Sequence, residues 1–148
     1  MRQTPLLDEH KALGGKVIDF SGWALPVQFA GILQEHTHTR SSASIFDCSH
    51  MGEFRIKGRE AIEAYDALIT TDTGRIRPGR ARYGALLTGD GGYIDDLITM
   101  RLGGDELFVV TNAGSLDRVA AVFASQVPGL VDERSEEHTS ELQSQSHI

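Results

Sequence analysis

With 148 residues, 40% hydrophobic and 24% charged side chains, the chain has the make-up of one globular domain, or of one and part of another. An acidic balance (14 Lys+Arg against 21 Asp+Glu) without any basic block argues against a nucleic-acid surface, and no apolar run nears the ~20 residues of a membrane span. The single Cys48 excludes an internal disulfide, and the N-terminus lacks both a secretory apolar core and the acid-poor character of a transit peptide, so a cytoplasmic protein is expected.

Thr4-Pro5 predicts a helix start, Thr4 as N-cap and Pro5 in first position, ending at Gly14-Gly15. Lys16 to Phe20 reads as extended, and Ser21 to Phe29 as a loop carrying the only tryptophan. Trp23 is there either a core anchor or one wall of a ligand cleft, and the burial habits of Trp weight the first. Gly31 to Ala43 reads as a helix; its His36 and His38 lack further ligands at metal spacing and fit a solvated face. Asp47, Ser49 and His50 lie too close in sequence to form a catalytic triad by proximity alone. That segment predicts a turn held by Asp and Ser side chains, leading into a strand from Met51 to Lys57.

Gly58 opens a predicted helix in which Ala61, Ile62, Tyr65, Leu68 and Ile69 keep helical spacing. Thr70 to Arg80, punctuated by Gly74, Pro78 and Gly79, is a loop, and Arg82 to Thr88 a strand bearing Tyr83. Asp90-Gly91 and Gly103-Gly104 then bracket a long alternating run, and such pairs supply the positive φ of tight hairpins. On alternation, Ile94, Asp96, Ile98, Met100 and Leu102 share one face, and Tyr93, Asp95, Leu97, Thr99 and Arg101 the other. Asp96 is thus expected as a lone carboxylate on an apolar face, met by an internal donor or by a ligand, with Asp95 its solvated neighbour. An unpaired carboxylate so buried costs several kcal/mol. Ser115 caps a last helix with Leu116, Val119, Ala120, Phe123 and Val127 on one stripe, stopped by Pro128-Gly129. From Met51 the order is β-α-β-β-β-α, an antiparallel sheet with packed helices: α+β.

The last fifteen residues, from Arg134, turn abruptly polar. Arg134 to Ser144 resembles a translated sequencing-library adapter and is set aside from fold reasoning, which implies that the natural chain runs on past Glu133.

Five collinear segments, T-P-L-L-D-E-H (4–10), V-I-D-F-S-G-W-A-L-P-V-Q-F (17–29), F-D-C-S-H-M-G-E-F (46–54), G-G-Y-I-D-D-L-I (91–98) and V-V-T-N-A (109–113), carry a resemblance. Together they resemble the N-terminal part of the glycine cleavage system T-protein family, which are aminomethyltransferases. Departures are local: Ser44 for the usual Gly, Cys48 for an aliphatic residue, and Thr37-His38-Thr39 for a more apolar triplet. The resemblance implies transfer of an aminomethyl group from the lipoyl arm of H-protein to tetrahydrofolate, bound in the central cavity of a three-domain fold. It puts the catalytic aspartate on Asp96 and folate contacts on Met51, Tyr83, Ile98, Met100, Val110 and Asn112. It further implies that residues 1–50 belong to a domain completed by downstream chain and that 51–133 form the folate-facing α+β domain; 134–148, on composition, are an artefactual or disordered tail. Asp96 would either take a proton from the folate nitrogen or polarise it, with Met51, Ile98 and Met100 forming a ring-sized pocket. Two rivals keep the fold: a non-enzymatic folate module of the iron–sulfur maintenance type, and the folate domain of sarcosine or dimethylglycine dehydrogenases.

Overall fold

The computed structural model describes residues 1–132; the tail set aside above lies outside the described residues. The chain divides into two compact units, Met1–His50 and Met51–Ile148. Among the described residues no helix is long and apolar enough to cross a membrane.

The first unit holds β1 (Arg2–Gln3), α1 (Leu7–Ala12), β2 (Val17–Phe20), β3 (Trp23–Pro26) and α2 (Ile32–Ser41). Its sheet runs β1-β3-β2, with β1 parallel and β2 antiparallel to β3. Two expectations need correcting. The middle of the predicted loop is strand β3, paired from Phe20↔Trp23 to Val17↔Pro26. Four residues are too few to show alternation, and Pro26 stands at the strand end where proline is tolerated. Helix α1 starts at Leu7, not after Thr4, because the Thr4 hydroxyl donates instead to Asp47 Oδ2 at 2.8 Å. Trp23 is half-buried on β3, with the Arg2 guanidinium 5.8 Å from its ring centre.

The second unit is a five-stranded antiparallel sheet backed by two helices. Its elements are β4 (Gly52–Lys57), α3 (Arg59–Asp66), β5 (Ala81–Leu87), β6 (Tyr93–Gly103), β7 (Glu106–Thr111), α4 (Leu116–Gln126) and β8 (Val131–Asp132). The strand order is β5-β6-β7-β4-β8. One sheet face forms the core: Phe54 and Ile56 from β4, Leu107 and Val109 from β7, Leu97 and Thr99 from β6, under Tyr65 of α3 and Val119 and Phe123 of α4. Phe123 packs edge-on against Phe54 and Tyr65, with ring centres 5.2 and 5.5 Å apart, the offset that aromatic quadrupoles favour. The buried Tyr65 hydroxyl pairs with Thr99 Oγ1 at 2.6 Å, and burial pushes its pKa above the ordinary tyrosine value. Gly52 admits no larger residue, since a Cβ there would run into Leu116 and Thr111. Of the two glycine pairs expected to supply positive φ, only Gly91 does so, at +85°. Gly103 and Gly104 stay outside the left-handed region because an irregularity between Arg101 and Gly103 absorbs the turn.

Candidate active site

Every strand presents its alternate side chains to the sheet face that α3 and α4 leave uncovered. There the ladder sets Tyr83 opposite Ile98, and Ile98 opposite Val110, in one row across β5, β6 and β7. Met100 lies between Ala81 and Phe108, and Asp96 beside Ala85. Asn112 follows the Leu97↔Thr111 pair at the end of β7, and Met51 precedes β4, whose Gly52 pairs with the same Thr111. Antiparallel register therefore gathers Tyr83, Asp96, Ile98, Met100, Val110 and Asn112 from three strands onto one face, with Met51 at its end. Ile98, Val110 and Met51 are half-buried, while Tyr83 is 71% exposed.

The burial expected for this face is wrong. Asp96 is exposed, and Asp95, expected to be solvated, is 3% exposed. The apolar count favoured the Asp96 face, but the helices cover the other, where Asp95, Leu97 and Thr99 point. Ile94 also leaves the Asp96 face. Leu86 pairs with Asp95 and Leu87 with Tyr93, so Ile94 is the extra residue of a bulge and is buried like Asp95. Alternation cannot foresee a bulge. The ring-sized pocket is likewise not closed by the described residues: Ile98 and Met100 form part of an open wall.

Asp96 is met by neutral donors. The Tyr93 hydroxyl donates to Asp96 Oδ1 at 2.6 Å and Asn112 Nδ2 to the same oxygen at 3.1 Å. That hydrogen bond holds the Tyr93 phenol protonated to higher pH than a free tyrosine. On the buried side, Asp95 accepts from the Asn112 backbone N–H at 3.0 Å and from Asn112 Nδ2 at 2.9 Å. These charge-assisted bonds stand in for the water that the carboxylate loses. Asp95 and Tyr93 are the members of the site that alternation did not single out. The adjacent acids Asp95-Asp96 followed by a downstream Asn112 are the signal that was available.

The first unit has its own polar cluster. Asp47 accepts from Thr4, from His10 Nε2 at 2.8 Å, and from the Ser49 backbone N–H at 2.9 Å. Burial opposes its ionisation, but the donors of Ser49, His10 and Thr4 outweigh burial and hold the carboxyl well below the usual range. The turn predicted from Asp47 and Ser49 is thus present, and the histidine that Asp47 engages by hydrogen bond is the distant His10. Burial lowers the pKa of His50, whose Nδ1 has no hydrogen-bond partner among the described residues. Both histidines line an apolar groove of about 930 Å³ with Leu13, Phe20, Phe29, Ile45 and Phe46. Helix α2 buries none of its ten residues.

The family model for the GCVT N-terminal domain matches residues 6–145. Aminomethyltransferase of Bacillus subtilis is 41% identical over 129 residues, covering 87% of this chain and 36% of that one. Aminomethyltransferase of Desulfitobacterium hafniense is 39% identical over 129 residues, with 87% and 35% covered. The crystal structure of glycine cleavage system aminomethyltransferase T from Bartonella henselae superposes with a TM-score of 0.84 at 32% identity, over 90% of this chain and 38% of that one. The chain thus spans little more than a third of the length of these relatives.

Proposed function

The chain belongs to the GCVT N-terminal domain family, and on that premise we propose that it is the folate-facing part of a glycine cleavage system aminomethyltransferase. The reaction passes the aminomethyl carbon from the lipoyl arm of H-protein to tetrahydrofolate, giving methylenetetrahydrofolate, ammonia and the reduced lipoyl arm. The relatives' shared name favours this reading over the iron–sulfur and dehydrogenase rivals.

One observation carries it: a flat apolar wall adjoins a carboxylate that has one oxygen held and one without a donor among the described residues. A fused bicyclic heterocycle with a flanking N–H fits such a wall. Tetrahydrofolate supplies the nucleophilic nitrogen that accepts the one-carbon unit. Ile98, Val110 and Met100 bind the ring by removing apolar surface from water, and Tyr83 offers an aromatic edge. Asp96 orients the nitrogen and relieves the positive charge that builds there as it attacks carbon, by taking the proton or by polarising the N–H. Met51 and Asn112 bound the site at its end.

On the same reading, the wall is closed by the further length that the relatives have. The apolar groove of the first unit is likewise filled by that continuation, which in the relatives amounts to nearly two thirds of the protein. The present chain alone is therefore expected to be inactive and to bind tetrahydrofolate weakly by calorimetry. The deciding assay is ammonia release from aminomethylated H-protein by the full-length chain, beside its Asp96→Ala variant. Turnover that vanishes in the variant supports the proposal; no turnover in either chain, or equal turnover in both, refutes it.

A further inference from the structure

We propose that Asp95, the carboxylate on the buried side of β6, is a positioning residue that sets Asp96 for the reaction by fixing the amide of Asn112. The proposal rests on the reading that the open face around Asp96 binds folate.

A carboxylate only accepts hydrogen bonds, and an Asn amide has a donating and an accepting end. Asp95 grips Asn112 at two points, taking the backbone N–H on Oδ2 at 3.0 Å and Nδ2 on Oδ1 at 2.9 Å. The two-point grip decides which way the amide is turned. A half-turn would set its carbonyl oxygen against two carboxylates. Held as it is, Nδ2 also reaches the Asp96 backbone carbonyl at 3.0 Å and Asp96 Oδ1 at 3.1 Å. The Tyr93 hydroxyl lands on that same oxygen at 2.6 Å. Both donors converge on Oδ1, so Oδ2 is left without a donor among the described residues. That is the oxygen a ligand N–H can use.

The cost of the arrangement points the same way. Burying a carboxylate is expensive even when it is hydrogen-bonded, and a strand end can be pinned by neutral groups. Thr99, four residues along on the same buried side, is satisfied by the Tyr65 hydroxyl alone. Only an acceptor on both oxygens fixes the amide so that its donor end faces Asp96. Asp95 meets that requirement, and a neutral residue of the same size does not.

The test uses the full-length chain with three variants: Asp95→Asn, the exchanged pair Asp95→Asn with Asn112→Asp, and Asp96→Asn. Asp95→Asn keeps the volume and loses one acceptor. Turnover is expected to fall about 10- to 100-fold, with KM for tetrahydrofolate moving less than about threefold, as for a displaced catalytic group. The exchanged pair restores a donor–acceptor match between positions 95 and 112 but turns a carboxylate toward Asp96. Its thermal midpoint is expected to recover while kcat stays low. Recovery of kcat together with the midpoint would make Asp95 a structural residue and overturn the proposal, as would wild-type kcat in Asp95→Asn. Wild-type kcat in Asp96→Asn sinks the underlying folate reading instead. Should the position 95 variants not fold, NMR of the unmutated chain decides. The Asn112 Nδ2 protons are expected to be shifted from their free-amide positions and protected from exchange with solvent, as donors to Asp95 and Asp96; an Asn112 side chain that exchanges like a free amide overturns the proposal.

Discussion

Phe54, Tyr65 and Phe123 of the second unit are fully buried, while Leu33, Ile45 and Phe46 of the first stand in the open. The two regions use apolar residues in opposite ways. In the second unit, α3 and α4 cover one whole face of the sheet, and the uncovered face carries the site. The first unit has a short three-stranded sheet, a helix that buries nothing, and an ionised Asp47 that ties Thr4, His10 and Ser49 together. Where apolar burial is complete, the carboxylate of Asp96 stands exposed without endangering the fold. Where it is incomplete, Asp47 ties three separate stretches of chain together.

Phe123→Ala should destabilise the second unit by about 3–5 kcal/mol, the usual loss for emptying an aromatic site in a core, read by denaturant unfolding. A cost under about 1 kcal/mol would mean that this core is not closed. Asp47→Ala should cost the first unit about 2–3 kcal/mol, since three donors lose a charged acceptor. Its pH dependence has a definite sign. The folded Asp47 carboxyl sits below its ordinary value, so its contribution is fully present above about pH 4 and fades as pH falls further. The gap between wild type and Asp47→Asn should therefore narrow on acidification; a gap that widens contradicts the assigned role. Gly52→Ala should cost about 1–3 kcal/mol by forcing Leu116 and Thr111 apart, with unfolding again the readout. Leu33→Ala should move stability by less than about 0.5 kcal/mol in the present chain, because the side chain is 82% exposed. A larger loss would show that Leu33 is already covered.

Much of the second unit was legible in the sequence. The helices from Gly58 and Ser115 were marked by apolar residues at helical spacing, and the meander by its flanking glycines. Strand β3 was missed because four residues ending in proline show no period, and the start of α1 because Thr4 has a partner more than forty residues away. At the site, alternation grouped Asp96, Ile98 and Met100 correctly but chose the wrong face as buried. The count of apolar side chains on β6 did not reveal where α3 and α4 pack, nor the bulge at Ile94. The family resemblance grouped Tyr83, Val110 and Asn112, distant in sequence, with Asp96, which local pattern could not do; in the structure Asn112 lies beside Asp96, and Tyr83 and Val110 flank Ile98 on the same face. Antiparallel register puts all of them on one sheet face.

Asp96 on the open face is held to serve chemistry and not stability, and single-turnover transfer with an unfolding curve for Asp96→Asn in the full-length chain tests this most directly. The expected result is a rate lower by about 10²–10⁴-fold, the usual span for losing a proton-handling group, with an unchanged unfolding midpoint. A rate near wild type, or a rate and midpoint that fall together, would contradict the account.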